Sequence, residues 1–248
     1  MSPHEMTSTD VETAYIEEIP YIDSPSDQDH DPPSPLHQAG QPGNLQSHYQ
    51  RVLMSKRNIA NPSPLGLCGF ALTTFLLSAI NMETMGVTHP SIVIAAAFAY
   101  GGLVQLCAGM WEMSIGNTFG ATSLSSFGGF WIGIAIILTP GGFEIEASYS
   151  SQEFQHAFSL FLFGWFIFTT LLVLCTLSSS VAHCTIFFTL DIAFLCLALG
   201  RRYTHFDALE NAYVPHESLT YAGGVFGMLS AFAAWYNALA GIVASNRT

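Results

Sequence analysis

The sequence predicts an all-α membrane protein with six transmembrane helices behind a disordered acidic N-terminal tail. Three observations carry this prediction. Half of the 248 residues are apolar and only 10% are charged, against about 25% charged in a soluble domain. The apolar residues collect into six runs long enough, or nearly so, to cross a hydrocarbon core about 30 Å thick. The charge is also segregated. Residues 1–50 hold Glu5, Asp10, Glu12, Glu17, Glu18, Asp23, Asp27, Asp29 and Asp31 and neither Lys nor Arg.

Residues 1–57 read as a disordered cytosolic tail and 58–248 as one transmembrane domain. The tail is acidic and rich in proline, from Pro3 to Pro42, so it buries too little apolar surface to offset its ordering entropy. It lacks the basic start and apolar stretch of a signal peptide. Ser24-Pro25 and Ser34-Pro35 are candidate phosphorylation sites within it. The spans are expected over Pro64 to Met82, Pro90 to Trp111, Ser125 to Thr139, His156 to Leu177, Val181 to Leu199 and Tyr221 to Val243. A soluble helical core would alternate apolar and charged faces, and these runs do not. Arg51, Lys56 and Arg57 precede the first span and Arg247 follows the sixth, against Arg201 and Arg202 on the opposite side. That imbalance places both termini in the cytosol, where the sequon Asn246-Arg247-Thr248 stays unmodified.

Several function classes are excluded. Six basic residues against eighteen acidic ones leave no basic patch for nucleic acid. The five cysteines lie in apolar runs without a CxxC pair and read as small buried hydrophobes. No zinc-protease helix, phosphate loop or Ser/His/Asp set is present, so neither an enzyme nor a metal or cofactor site is expected.

Polar features inside the spans are costly and point to a pathway. Asn61-Pro62-Ser63-Pro64 opens the first span, either as a helix-start device capped by Asn61 or as extended backbone facing a cavity. Tyr100-Gly101-Gly102 is expected to break the second span, with Gln105 and Glu112 following on one helical face. Glu112 reads equally as an interfacial charge or a buried one. Gly116-Asn117-Thr118-Phe119-Gly120 reads as a broken helix whose free amides suit an anion, or as a plain turn. Asp191 is the one acid well inside an apolar run and must face protein or water. His183, at the start of that run, reads as interfacial. Gly129 and Gly133, and Gly223 and Gly227, form small-xxx-small faces for close helix packing.

NPSPLGL at 61–67, YGG at 100–102, GNTFG at 116–120 and SFGGFW at 126–131 together resemble the signatures of the acetate uptake transporter family. These are the fungal and bacterial acetate/succinate–proton symporters, also called GPR1/FUN34/YaaH. The resemblance covers about residues 58–244 and is closest to the fungal branch. It implies a plasma-membrane transporter for acetate and other short-chain monocarboxylates, coupled to protons and assembled as a homohexamer. It also implies a hydrophobic constriction of Phe, Tyr and Leu in each protomer. Phe70 matches the Phe and Leu190 the Leu, while Phe127 stands where the family has Tyr. The expected substrate pathway then includes Asn61, Phe70, Tyr100, Gln105, Glu112, Asn117, Thr118, Phe127, Leu190 and Asp191. Glu112 and Asp191 are candidate proton carriers, and entry as the neutral acid is the alternative. A membrane sensor of acetate or ammonia without net transport, and an ammonium exporter, are the competing readings.

Overall fold

The computed structural model describes residues 60–208 and 211–245. The tail and the 246–248 sequon lie outside them. Among the described residues six helices are long and apolar enough to cross a membrane: α1 (Ser63–Asn81), α2 (Ser91–Ser114), α3 (Thr118–Leu138), α4 (Ser151–Thr176), α5 (Val181–Arg202) and α6 (Glu217–Ser245). The largest departure from the sequence reading is α3, which begins at Thr118 rather than near Ser125. Its polar first turns, Thr118 to Ser126, disguise a full-length span.

Local chemistry sets the helix starts. Asn117 accepts a hydrogen bond from the Gly120 amide (3.1 Å), Ser150 from Glu153 (3.4 Å) and Ser180 from His183 (3.3 Å). Each satisfies an amide that the helix itself leaves without a partner. Asn61 does the same for Ser63, at 3.1 Å. Arg201 and Arg202 occupy the last turn of α5, where cations complement the helix dipole. Gly116, at φ +82°, makes the left-handed turn between α2 and α3.

Tyr100-Gly101-Gly102 does not break α2, contrary to the expectation. Residues Ala99–Val104 form a π-helical turn, and the helix continues on both sides. Inside a bilayer every backbone group needs a partner, so a widened turn answers the local strain where a break would strand donors. The glycines are needed there for contact: a Cβ on Gly102 would lie 2.7 Å from Ile132.

Along the bundle, α6 packs against α1 and α5, α4 against α5, and α2 against α1 and α3. Close approach between α2 and α3 depends on Gly128, where a Cβ would sit 2.7 Å from the Leu106 backbone nitrogen. Gly129 meets nothing within 4 Å and Gly133 only Phe161 at 3.7 Å, so that small-xxx-small pair is not a packing face within the protomer. Gly223 and Gly227 do pack tightly, on Leu197 and Ser78. The ring of helices closes between α3 and α4 through aromatic side chains. Phe127 contacts Trp165 and Phe168 at 5.9 and 5.8 Å between centroids, and Phe130 stacks on Phe161 at 6.0 Å.

A two-stranded antiparallel hairpin, β1 (His205–Asp207) and β2 (Ala212–Val214), joins α5 to α6 with Phe206 opposite Tyr213. It is latched to the start of α4: the Tyr213 amide donates to Ser151 Oγ (2.7 Å), and Gln155 Nε2 donates to the Tyr213 carbonyl (3.2 Å). The α1–α2, α3–α4 and α5–α6 connections share this hairpin face. The α2–α3 and α4–α5 turns lie at the opposite, turn face.

Candidate functional site

Two cavities lie along the axis of the bundle. The one toward the hairpin face, about 90 Å³, is lined by residues that include Thr74, Ser78, Phe130, Trp131, Phe194 and Arg201. The one toward the turn face, about 60 Å³, is lined by residues that include Ser63, Gln105, Asn117, Ser123 and His183. Phe70, Phe127 and Leu190 are the three residues common to both linings. They come from α1, α3 and α5, so a neck of one residue from each of three helices separates the chambers. All three are buried, and the rings of Phe70 and Phe127 lie 6.0 Å apart at 51°. Phe127 is packed by Phe194, stacked at 6.3 Å, and by Trp165, Phe168 and Phe187. An aromatic ring wedged in this way cannot swing aside without disturbing its neighbours.

The chambers are mostly apolar but carry isolated polar groups. Both polar atoms of the Gln105 amide, Thr74 Oγ1 and Trp131 Nε1 are buried and have no hydrogen-bond partner among the described residues. Gln105 faces the turn-side chamber, and Thr74 and Trp131 face the other. Unpaired buried polar groups are costly, and these three side chains border the chambers with their polar atoms closed off from them. Beyond the hairpin-side chamber an open vestibule of about 1170 Å³ reaches the hairpin face.

Glu112 is fully buried, yet it lines neither chamber. Its carboxylate accepts hydrogen bonds from Ser63 Oγ and, at 2.6 Å, from Asn117 Nδ2. It therefore ties together the first residue of α1 and the cap of α3, two helix N-termini whose dipoles favour a negative charge. Ser63 and Asn117 both face the turn-side chamber, so Glu112 stands one shell behind it. The GNTFG turn offers no free amide at Gly120, because Asn117 Oδ1 already accepts it.

The sequence profile of the GPR1/FUN34/yaaH family matches residues 42–248. The chain belongs to the GPR1/FUN34/yaaH family. Acetate permease A of Emericella nidulans is 57% identical over 197 residues, covering 77% of this chain and 64% of that protein. Ammonia transport outward protein 2 of Saccharomyces cerevisiae is 45% identical over 185 residues, covering 74% of this chain and 61% of that protein. The chain thus spans less than two thirds of the length of these two relatives. The solved structure of the bacterial acetate channel SatP is similar at a TM-score of 0.60 and 29% identity, over 75% of this chain and 93% of that one.

Of the residues singled out from the sequence, Phe70, Gln105, Asn117, Phe127 and Leu190 line the chambers or the neck. The others do not. Asn61 and Thr118 are exposed at helix starts. Tyr100 lies in the π turn, where its carbonyl meets Gly69 of α1. Asp191, next to Leu190, faces the neighbouring helix instead, and Thr170 Oγ1 of α4 donates to it at 3.0 Å. The helical rotation of about 100° per residue puts Leu190 in the neck and Asp191 in the α4–α5 contact. His183 is more than an interfacial residue: it lines the turn-side chamber, against the rings of Phe119 and Phe187. Sequence reasoning missed Thr74, Trp131 and Arg201. Threonine and tryptophan within an apolar run carry no signal of direction, and Arg201 read only as a topology marker. Among the described residues no group of three or more His, Cys, Asp or Glu could hold a metal.

Proposed function

We propose that the protein is a plasma-membrane transporter that carries acetate and other short-chain monocarboxylates through each protomer, coupled to protons. The observation that carries the reading is the neck, Phe70, Phe127 and Leu190, set between two chambers on the axis of the bundle. A dry aromatic constriction rejects hydrated ions, while a two-carbon acid exposes one methyl group and two oxygens. Thr74, Trp131 and Gln105 are isolated polar side chains bordering the two chambers, without the lasting grip of a charge cluster. The names of the Emericella permease and of the SatP channel support acetate as the substrate.

The proton crosses the neck with the substrate, which passes as the neutral acid, because an apolar ring offers a bare carboxylate no compensation for lost hydration. Glu112, held by Ser63 and Asn117, keeps the turn-side chamber in shape. The termini face the cytosol, in keeping with the Lys/Arg bias, and the homohexamer follows from the family resemblance. Reconstitution in liposomes tests the function: labelled acetate should accumulate when a pH gradient is imposed, and acidification of the receiving side should accompany it. A second reading, ammonium export, has the name of the 45% identical yeast relative in its favour. Measuring ammonium flux in the same liposomes separates the two.

A further inference from the structure

The vestibule and the hairpin-side chamber meet at a mouth, and the residues common to both linings define it: Asn81, Pro90, Leu138, Arg201, Pro215 and Thr220. Among the described residues Arg201 is the only ionisable group common to both linings. A solute moving between the vestibule and the chamber passes Arg201.

The side chain is built into position. Its Nη1 donates to Gln155 Oε1 at 2.7 Å, and its guanidinium carbon lies 3.9 Å from the centroid of the Phe158 ring. Gln155 is itself oriented by its bond to the Tyr213 carbonyl of the hairpin, at 3.2 Å. The hydrogen-bond partner is a neutral amide, so this contact leaves the positive charge unneutralised. A guanidinium has five N–H donors in a planar fork, and a carboxylate can take two of them side by side. The remaining charges of the vestibule are acids, Glu83, Glu146, Asp207 and Glu217. Glu146 lies near enough to act on the Arg201 charge, and the acids border an open aqueous space in which screening weakens such interactions, whereas Arg201 sits where that space narrows.

Resting on the transport reading above, we propose that Arg201 is the capture site of the pathway, binding the substrate as the ionised carboxylate at the mouth before a proton joins it for passage through the neck. The site selects small anions over neutral molecules of equal size, a discrimination that the aromatic neck cannot make. Arg201 acts on the carboxylate directly, and Gln155 and Phe158 position it.

The test compares wild type with R201K, R201Q and R201M as purified full-length protein. All are checked for folding by size exclusion and thermal melting. R201M keeps an apolar contact with Phe158 and serves if R201Q does not fold. Two readouts are taken: acetate binding to detergent-solubilised protein by calorimetry, and labelled acetate uptake into liposomes with acetamide, a neutral molecule of similar shape, as competitor. Loss of a charge-assisted bidentate contact weakens binding by about ten- to a hundredfold. The neutral variants should show that loss for acetate with no change for acetamide, and R201K should recover a large part of it. A folded neutral variant that binds acetate as wild type does overturns the proposal, and so does a wild type that binds no acetate. Binding that depends on Arg201 in a protein that moves no acetate upholds the capture site and overturns the transport reading instead.

Discussion

Replacing Leu190 with alanine tests the neck by opening it. Leu190 borders both chambers, and truncation removes three carbons from the ring formed with Phe70 and Phe127. Because cavities of about 90 and 60 Å³ already lie on either side, the change joins them into one passage rather than leaving a sealed void. The stability cost should therefore fall near the lower end of the range for buried Leu→Ala, about 2 kcal/mol. The effect on selectivity should be larger than the effect on folding. A tight apolar site penalises one extra carbon by about 1–3 kcal/mol, and relief of about 1.4 kcal/mol is one decade. Competition of labelled acetate uptake by lactate and propionate reads this directly. In Leu190→Ala the inhibition constant of lactate relative to acetate should fall about tenfold. A folded variant with an unchanged ratio would show that Leu190 does not set the width of the pathway.

Two further substitutions probe the rest of the site. Phe127→Tyr adds a hydroxyl to a ring that borders both chambers. A new hydrogen bond of about 0.5–1.5 kcal/mol to the carboxyl group should lower the half-saturation concentration for acetate by up to about tenfold, with the ranking of larger acids kept. An unchanged half-saturation would mean that the hydroxyl points away from the pathway. Glu112→Ala strips Ser63 and Asn117 of their shared acceptor. It should destabilise the protein by about 1–3 kcal/mol, seen as a lower melting temperature, whereas Glu112→Gln, which can still accept from Ser63, should cost less. Equal melting of Glu112→Ala and wild type would remove Glu112 from its structural role.

The spans were legible because hydrocarbon thickness fixes their length, and their apolar runs carry almost no charge. The neck was legible only through resemblance, since Phe70, Phe127 and Leu190 are apolar residues within apolar runs, and nothing in their spacing separates them from the core. Sequence reading went astray where it treated glycine as a break. At Tyr100-Gly101-Gly102 the requirement that backbone groups be paired in lipid overrides the low helix propensity of glycine, and the outcome is a π turn. At Asn117 the side chain caps the Gly120 amide at the start of α3. Asp191 drew attention as an acid in a span, but its partner Thr170 lies on another helix. Such a pairing across helices is invisible from either segment alone. Arg201 was concealed in the opposite way: a cation at a helix end is common, and only the meeting of two cavities gives this one its place.

The central claim is that solute crosses through the ring of Phe70, Phe127 and Leu190, and plugging that ring tests it most directly. Leu190→Trp places an indole where the adjoining chambers have room to accept it. The measurement is initial acetate flux into liposomes under an imposed pH gradient, wild type against variant, at equal amounts of folded protein. The account predicts flux at the level of protein-free liposomes for Leu190→Trp and flux well above it for wild type. A folded Leu190→Trp protein that carries acetate at the wild-type rate would contradict it.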